Sequence, residues 1–344
     1  MTKIFFNLVP PTAKECARIE KRLTRLGPIE QAAALASRAF RRVPTGKRLA
    51  VRWQFVARPD TNVAAGDFSD RALPPKDERP PSTRLISPRG IALRFYLTAL
   101  FVAQSRSAGE RPSNPLPLND FDADVSWVDL VATPAVRAQG GKTSVSVRDK
   151  KLRQIHDALA RLASPAVDLV ELPNASKPVN TYENFLLKHE RGRRYAESDE
   201  PNQLYTVPSK NNLLIYLPAS FFLNDWVHVL EDSEIAMLLM IGMLHARYGA
   251  ERHVYVDGET RLSQFGVGRD TYMAHGNLSR FGLLDVETDP DRNPLEPSIV
   301  MGYSKDGPPP KLHRFRLLPK GFEQPAVTHV REELAERLKQ AMWR

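Results

Sequence analysis

RLSQFGVGRDTYMAHGNLSRFGLLDVE, residues 261–287, predicts two helices joined by a tight turn and followed by a strand. The short helical segment Arg261–Phe265 ends at Gly266, a residue type that turns favour because it tolerates a positive φ angle. A second helix is predicted for Arg269–Arg280. Leu284–Glu287 then alternates apolar and acidic residues, which is the pattern of a strand with one buried face.

The sequence on either side completes this module. An apolar helix, Glu234–Tyr248, is predicted before it, and a proline-rich loop leads to a return strand, Leu312–Leu318. Helix, short helix, tight turn, helix and β-hairpin is the order of a winged helix-turn-helix, whose second turn helix normally enters the major groove of DNA. We therefore predict a winged-helix domain over residues 213–325.

A second module of the same order is predicted upstream, over residues 87–189. Ser87-Pro88 is typical of a helix start, and the helix that follows is strongly apolar. A short middle helix is predicted for Ser126–Val131, and the capping box Ser146–Asp149 opens a third helix. Val167–Leu172 alternates apolar and acidic residues and predicts the first wing strand. The expected fold class is α+β, mainly α, with two tandem winged-helix domains.

Charge is concentrated near the N-terminus. The 344-residue chain is 42% hydrophobic and has a net charge of +9, which favours a polyanionic partner. Residues 1–58 hold 13 Lys or Arg against three acidic residues, whereas the rest of the chain holds 36 against 37. The whole excess of positive charge therefore lies in this basic N-terminal segment.

The basic segment itself predicts two helices and a strand. Thr12–Glu15 is a capping box, Gly27 is the expected end of that helix, and a second helix is predicted for Ile29–Arg41. Alternation over Leu49–Phe55 predicts the strand. The segment could be an accessory domain, a nonspecific phosphate clamp or, less in keeping with its composition, a membrane-surface helix.

Two polar segments are predicted as linkers, residues 59–86 and residues 190–212, because both lack periodicity. The second also has a basic cluster that could cross a phosphate backbone. The final segment, residues 326–344, contains a predicted helix over Thr328–Trp343. This helix could dock on the second module or mediate dimerisation.

Outward-facing polar residues of the predicted recognition helices and wings are the candidate DNA contacts. Arg, Gln and Asn near the start of such a helix can make bidentate contacts to bases, and Arg269 and Asn277 are the best base-reading candidates. For each single residue, the alternative is an ordinary solvated helix face. The candidates are Arg148, Lys150, Lys151, Arg153, Gln154 and Lys177 in the first module, and Arg269, Tyr272, Met273, Asn277, Arg280, Arg292, Lys305 and Lys311 in the second.

The sequence carries no complete catalytic or metal-binding motif, so we expect neither enzymatic activity nor a cofactor. Gly140–Thr143 resembles the end of a phosphate-binding loop, but Val136 occupies the position of the first glycine of that motif. The histidines lack HxH or HExxH spacing, and a lone cysteine, Cys16, excludes an intramolecular disulfide. No secretory signal or apolar run of about 18 residues is visible, so a cytoplasmic protein without a membrane partner is expected.

The tandem modules, the segment that joins them and LSRFGLLDVE, residues 278–287, resemble the replication initiators of the RepA and RepE type on bacterial plasmids. The resemblance covers residues 87–319 and implies binding to repeated double-stranded DNA sites, recruitment of host replication proteins and a possible homodimer. The basic N-terminal segment departs from the family pattern. Two alternatives remain: a transcriptional regulator without origin function, and a winged-helix module that assembles with proteins.

Overall fold

A computed structural model describes residues 10–59, 72–87, 90–114, 116–134, 145–177, 179–193, 202–209, 212–288 and 311–343. The fold is mixed α+β, about 49% helical, with small antiparallel sheets, in agreement with the expected class. The helices are α1 (Ala13–Phe40), α2 (Pro81–Arg84), α3 (Ala92–Ala103), α4 (Val147–Ala163), α5 (Ser220–Leu223), α6 (Trp226–Val229), α7 (Asp232–Tyr248), α8 (Gly258–Ser263), α9 (Arg269–Tyr272), α10 (His275–Arg280) and α11 (Ala326–Lys339).

Three two-stranded antiparallel sheets accompany the helices. The strands are β1 (Arg48–Arg52), β2 (Val170–Glu171), β3 (Leu186–Leu187), β4 (Leu214–Pro218), β5 (Leu284–Glu287) and β6 (Arg314–Leu317). β1 pairs with β4, β2 with β3, and β5 with β6. The first pairing joins the basic N-terminal segment to the strand that leads into the second predicted module, so the two cannot move as independent units while this sheet is intact.

The second predicted module has its helices and hairpin with two differences. The short helix α8 covers Gly258–Ser263 rather than Arg261–Phe265, and the predicted helix Arg269–Arg280 is two helices, α9 and α10. At the break, the carbonyl oxygen of Tyr272 accepts a hydrogen bond from Nδ1 of His275 at 2.6 Å. The amides of Ala274 and Gly276 bond three residues back, to Thr271 at 3.1 Å and to Met273 at 3.2 Å, in turns tighter than those of an α-helix. The tighter bonding thus begins before the histidine, whose side chain bonds to the carbonyl oxygen of Tyr272.

The first predicted module differs in its start and its hairpin. α3 begins at Ala92 rather than at Ser87, whose backbone amide donates to the carboxylate of Asp232 at 3.1 Å. The predicted capping box of Ser146 and Asp149 opens α4, and a 3-10 turn, Trp127–Leu130, occupies the place of the middle helix. The wing strand predicted over residues 167–172 is limited to β2, since Asp168 has a positive φ of 54°.

The prediction that the first helix ends at Gly27 is wrong, because α1 continues through Gly27 and Pro28. Its buried positions recur every three or four residues on both sides of this point, and they include Ile19, Leu26 and Ala33. α1 packs against α11, the 3-10 turn, α5 and α6. This tertiary packing outweighs the local cost of proline within a helix. The strand predicted over residues 49–55 also ends early, at Arg52.

The predicted linkers are not solvated spacers where the structure describes them. In the first, Ser82, Thr83 and Arg84 are buried, and the Thr83 hydroxyl donates to the carbonyl oxygen of Phe265 at 3.3 Å. In the second, the side chain of Glu190 is fully buried. Both segments therefore contribute to the protein interior, and the domain boundaries remain a prediction.

The C-terminal helix packs inside the fold. It covers Ala326–Lys339, slightly earlier than the predicted Thr328–Trp343, and a 3-10 turn follows it. Val330 and Leu334 are at most 1% exposed, and the helix contacts both α1 and α6. The helix α11 therefore docks on the second predicted module, as one of the two predictions had it. Its packing against α1 was not predicted. A role in dimerisation remains a prediction. Among the described helices, none is long and apolar enough to cross a membrane.

Acid pH is expected to destabilise the protein through His228 of α6. This histidine stacks on Phe40, and burial, with the nearby charges of Arg94 and Lys151, lowers its pKa to about 3. The unfolded chain binds this proton below about pH 6.5, so the stabilisation is present above that pH and lost as pH falls toward the folded pKa, by up to about 1.4 kcal/mol per pH unit. Chemical unfolding at pH 7 and at pH 4.5 measures this effect. Between these pH values, the free energy of unfolding should fall less in His228→Phe than in the unchanged protein, and an equal fall in both would contradict this assignment.

Candidate nucleic-acid interface

The turn before α9, which contains Gly266 and Gly268, packs against residues of the first predicted linker. Gly266 has a positive φ of 61°, and a Cβ atom at this position would lie 2.8 Å from the hydroxyl of Thr83. At Gly268, a Cβ atom would lie 2.6 Å from a methyl group of Leu73. Gly266 is therefore needed, because of its positive φ and the close packing of the first predicted linker, whereas at Gly268 only the end of the Leu73 side chain would have to move.

This turn presents the start of α9 to solvent. Arg269, the first residue of α9, is exposed, and Met273, one helical turn later, is 56% exposed. Lys311, just before β6, is also exposed. Arg292 and Lys305, the other predicted wing contacts, lie outside the described residues, as does Gly140–Thr143. Of the predicted contacts described in this module, these three lie at the surface.

Tyr272 lies in an aromatic cluster rather than fully outward. It is half-buried, with its ring centroid 5.2 Å from that of His275 and 5.8 Å from that of Phe315. The guanidinium of Arg261 lies 4.8 Å from the centre of its ring. Tyr272 therefore packs α9 against the β5–β6 hairpin, which orients the exposed face of α9.

Asn277 and Arg280 face the interior, contrary to the prediction that they face DNA. Nδ2 of Asn277 donates to Oε1 of Glu234 at 3.0 Å, and Nη1 of Arg280 donates to Oδ1 of Asn277 at 3.1 Å. The Arg280 side chain is 8% exposed and lies 3.7 Å from the carboxylate of Glu15. In one continuous helix, Asn277 would share a face with Arg269; the break after α9 changes this phase.

Lys151 and Arg148 of the first module also differ from the prediction. Lys151 is 9% exposed and donates to the carbonyl oxygen of Val128 at 3.3 Å, and burial lowers its pKa. It shares the buried face of α4 with Ile155. Arg148 donates to the carboxylate of Asp129 at 2.8 Å, bonds to Asn119 and lies against the ring of Phe121. Arg148 therefore holds the preceding loop, rather than projecting freely.

The remaining candidates of the first module have different degrees of exposure. Arg153 and Lys177 are exposed, and Lys150 is half-buried. Gln154 is half-buried, and its Oε1 atom is buried without a hydrogen-bond partner among the described residues. Arg153 and Lys177 are thus the candidates of this module that lie openly at the surface.

A basic surface patch was not among the predicted contacts. Arg38, Arg41, Lys47 and Arg48 are exposed at the end of α1 and the start of β1. The guanidinium of Arg48 lies 3.7 Å from the centre of the Tyr216 ring, which is 41% exposed. The surplus of positive charge in residues 1–58 indicated that this segment is basic. The aromatic side chain beside it could not be predicted, because Tyr216 belongs to β4 and reaches the patch through the β1–β4 pairing.

No known protein family matches the chain, and neither a curated protein nor a solved structure with significant similarity was found. Over the described ranges, no group of three or more His, Cys, Asp or Glu side chains could hold a metal ion. The expected absence of a cofactor remains a prediction. Any functional assignment therefore depends on the surfaces and contacts described above.

Proposed function

We propose that the protein binds double-stranded DNA in a sequence-specific manner, as a replication initiator of a plasmid or another mobile element. The observation that carries this proposal is the exposed start of α9, which follows a tight turn and places Arg269 at its first position. The order of α7, α8, turn, α9–α10 and the β5–β6 hairpin agrees with such a use. The net charge of +9 favours a polyanionic partner.

In this proposal, Arg269 of α9 and Met273, which directly follows α9, read the DNA sequence. An arginine can donate two hydrogen bonds to the O6 and N7 atoms of guanine, and an apolar side chain can contact the methyl group of thymine. Arg153, Lys177 and Lys311 are exposed cations that contact phosphates, where they displace counterions and make binding strongly salt-dependent. Asn277, Arg280 and Lys151 support the fold instead, because they are engaged in internal hydrogen bonds.

Arg269→Ala is expected to weaken binding to a cognate site by about 10-fold, and binding to random duplex less, because a bidentate base contact is worth about 1–3 kcal/mol. Arg153→Ala should weaken both equally and reduce the salt dependence by about one counterion. Titration of labelled duplexes at several salt concentrations measures both effects. Arg111→Ala, which removes another exposed arginine, is the control. If Arg269→Ala weakens binding to the cognate and the random duplex equally, Arg269 contacts a phosphate and does not read a base.

The cognate site is found by selecting genomic fragments with the purified protein at moderate salt. Enrichment of spaced direct repeats would support an initiator, and host replication proteins would then be tested as partners. A palindrome over a promoter would favour a dimeric transcriptional regulator. If nothing is enriched and random duplex is not bound, the DNA-binding proposal fails, and an assembly role for the modules becomes the remaining hypothesis.

A further inference from the structure

A cavity of about 610 Å³ opens where the segment after β1 meets the end of α7 and the loop before α8. Its floor is apolar, with Ala57, Val254, Val256 and Phe265 each at most 5% exposed. The volume lies within the range of about 300–1,000 Å³ that is typical of small-molecule sites. None of the residues assigned above to DNA binding lines it.

The charged residues around this cavity favour an anion. Three arginines line it: Arg58 from the segment after β1, Arg247 from the last turn of α7, and Arg252 from the loop that follows α7. Among the described lining residues, Asp257 is the one carboxylate, and its oxygens accept hydrogen bonds from the amide and hydroxyl of Thr260 at 2.8 and 2.7 Å. These hydrogen bonds keep Asp257 charged, but one carboxylate against three arginines still leaves an excess of positive charge among the lining residues.

The position of Arg58 is fixed by its backbone. Its amide donates to the carbonyl oxygen of Gln264 at 2.9 Å, which joins the segment after β1 to the end of α8. Its side chain is 10% exposed and lies 3.9 Å from Glu78, an acid outside the cavity lining. Arg247 and Arg252 are more exposed. Of the three lining arginines, one is thus nearly buried and two are exposed.

Aromatic rings accompany the arginines. Tyr248 and Tyr255 line the cavity although they are 55% and 59% exposed, and Trp53 lines it from the segment after β1. Exposed aromatic faces beside cationic side chains are the arrangement that binds nucleotides, because the bases stack on the rings and the cations attract the phosphates. A site for a purely apolar ligand would not need arginines beside exposed aromatic rings.

We propose that this cavity binds a nucleotide, with its phosphates beside Arg58, Arg247 and Arg252 and its base against the aromatic side chains. The nucleotide could be a free mononucleotide or part of a single DNA strand, since both have the same recognition chemistry. The site shares no residue with the proposed duplex contacts. It is therefore a second activity, which can be lost or retained independently of duplex binding.

Calorimetric titration of the full chain with ATP tests the proposal, with adenosine and inorganic triphosphate as separate ligands. ATP should bind at least about 10-fold more tightly than either fragment, because only ATP engages both the rings and the arginines. Arg247→Ala and Tyr255→Ala change exposed side chains and should each weaken ATP binding by about 10-fold. Arg111→Ala, an exposed arginine that does not line the cavity, should leave it unchanged.

Absence of ATP binding at millimolar concentration would overturn the proposal, as would binding that neither cavity variant weakens. Competition with a short oligothymidylate distinguishes the two sources. If it displaces ATP and its own binding is weakened by both variants, the natural occupant is a strand nucleotide; if it does not compete, the occupant is a free nucleotide. If the protein binds ATP but does not bind duplex DNA, the proposed function fails and the nucleotide site remains.

Discussion

Arg22→Met is expected to lower the free energy of unfolding by about 3–5 kcal/mol, because it leaves a buried carboxylate without its counterion. Arg22 of α1 is 6% exposed, and its guanidinium donates to both oxygens of Glu234, at 2.6 and 2.8 Å. Glu234 is 1% exposed. Attraction to Arg22 and hydrogen bonds lower the pKa of Glu234 despite the opposing effect of burial, so the carboxylate is charged at neutral pH.

Urea unfolding followed by circular dichroism measures this loss, and two further variants make it specific. Arg18→Met removes an exposed arginine from the same helix and should change stability by no more than about 0.5 kcal/mol. Arg22→Met combined with Glu234→Gln should recover part of the loss, because the neutral amide removes the buried charge. If the double variant were as unstable as the sum of the two single variants, lost packing rather than an unpaired charge would be the cause.

Arg52→Met is expected to be similarly destabilising, by about 3–5 kcal/mol, since Glu190 would remain buried without its counterion. Arg52 forms an ion pair with Glu190 and donates to the carbonyl oxygen of Thr206 at 2.8 Å. Its guanidinium also lies 5.5 Å from the centre of the Tyr205 ring. The contacts attach the second predicted linker to β1, so the variant should also increase hydrogen exchange in residues 202–209.

The pH dependence distinguishes a buried charge from lost packing in Arg52→Met. Burial already raises the pKa of Glu190, and removal of Arg52 should raise it further. The folded variant then takes up a proton at a higher pH than the unfolded chain, so its deficit in stability should shrink as pH falls. Arg48→Met, an exposed position of the same strand, is the matched control. A deficit that stays constant between about pH 7 and pH 5 would show that lost packing dominates.

Local signals in the sequence predicted the elements whose stabilising groups lie close together along the chain. The capping box of Ser146 and Asp149 joins residues three positions apart, and the strand β5 follows from alternation of apolar and acidic residues. α7 was likewise predicted from its apolar content. These features need no knowledge of distant partners.

Some polar residues that were predicted to face outward instead have partners that lie far away in sequence. Asn277 and its partner Glu234 are separated by 43 positions, and Lys151 and its partner Val128 by 23. No periodicity marks such partners, so a polar residue on a helix was expected to be outward. The break between α9 and α10, which no local pattern predicted, also changes the position of Asn277 relative to Arg269.

The pairing of α1 with α11 also determines when the protein can finish folding during its synthesis. Arg337 of α11 donates to the carboxylate of Glu15 across 322 positions of sequence. As the ribosome makes α1 first, the side of α1 that α11 covers stays without its partner until α11 has left the exit tunnel. We therefore expect α1 to complete its packing late in synthesis, only after α11 has been made, and its α11-facing side to be exposed to other contacts until then.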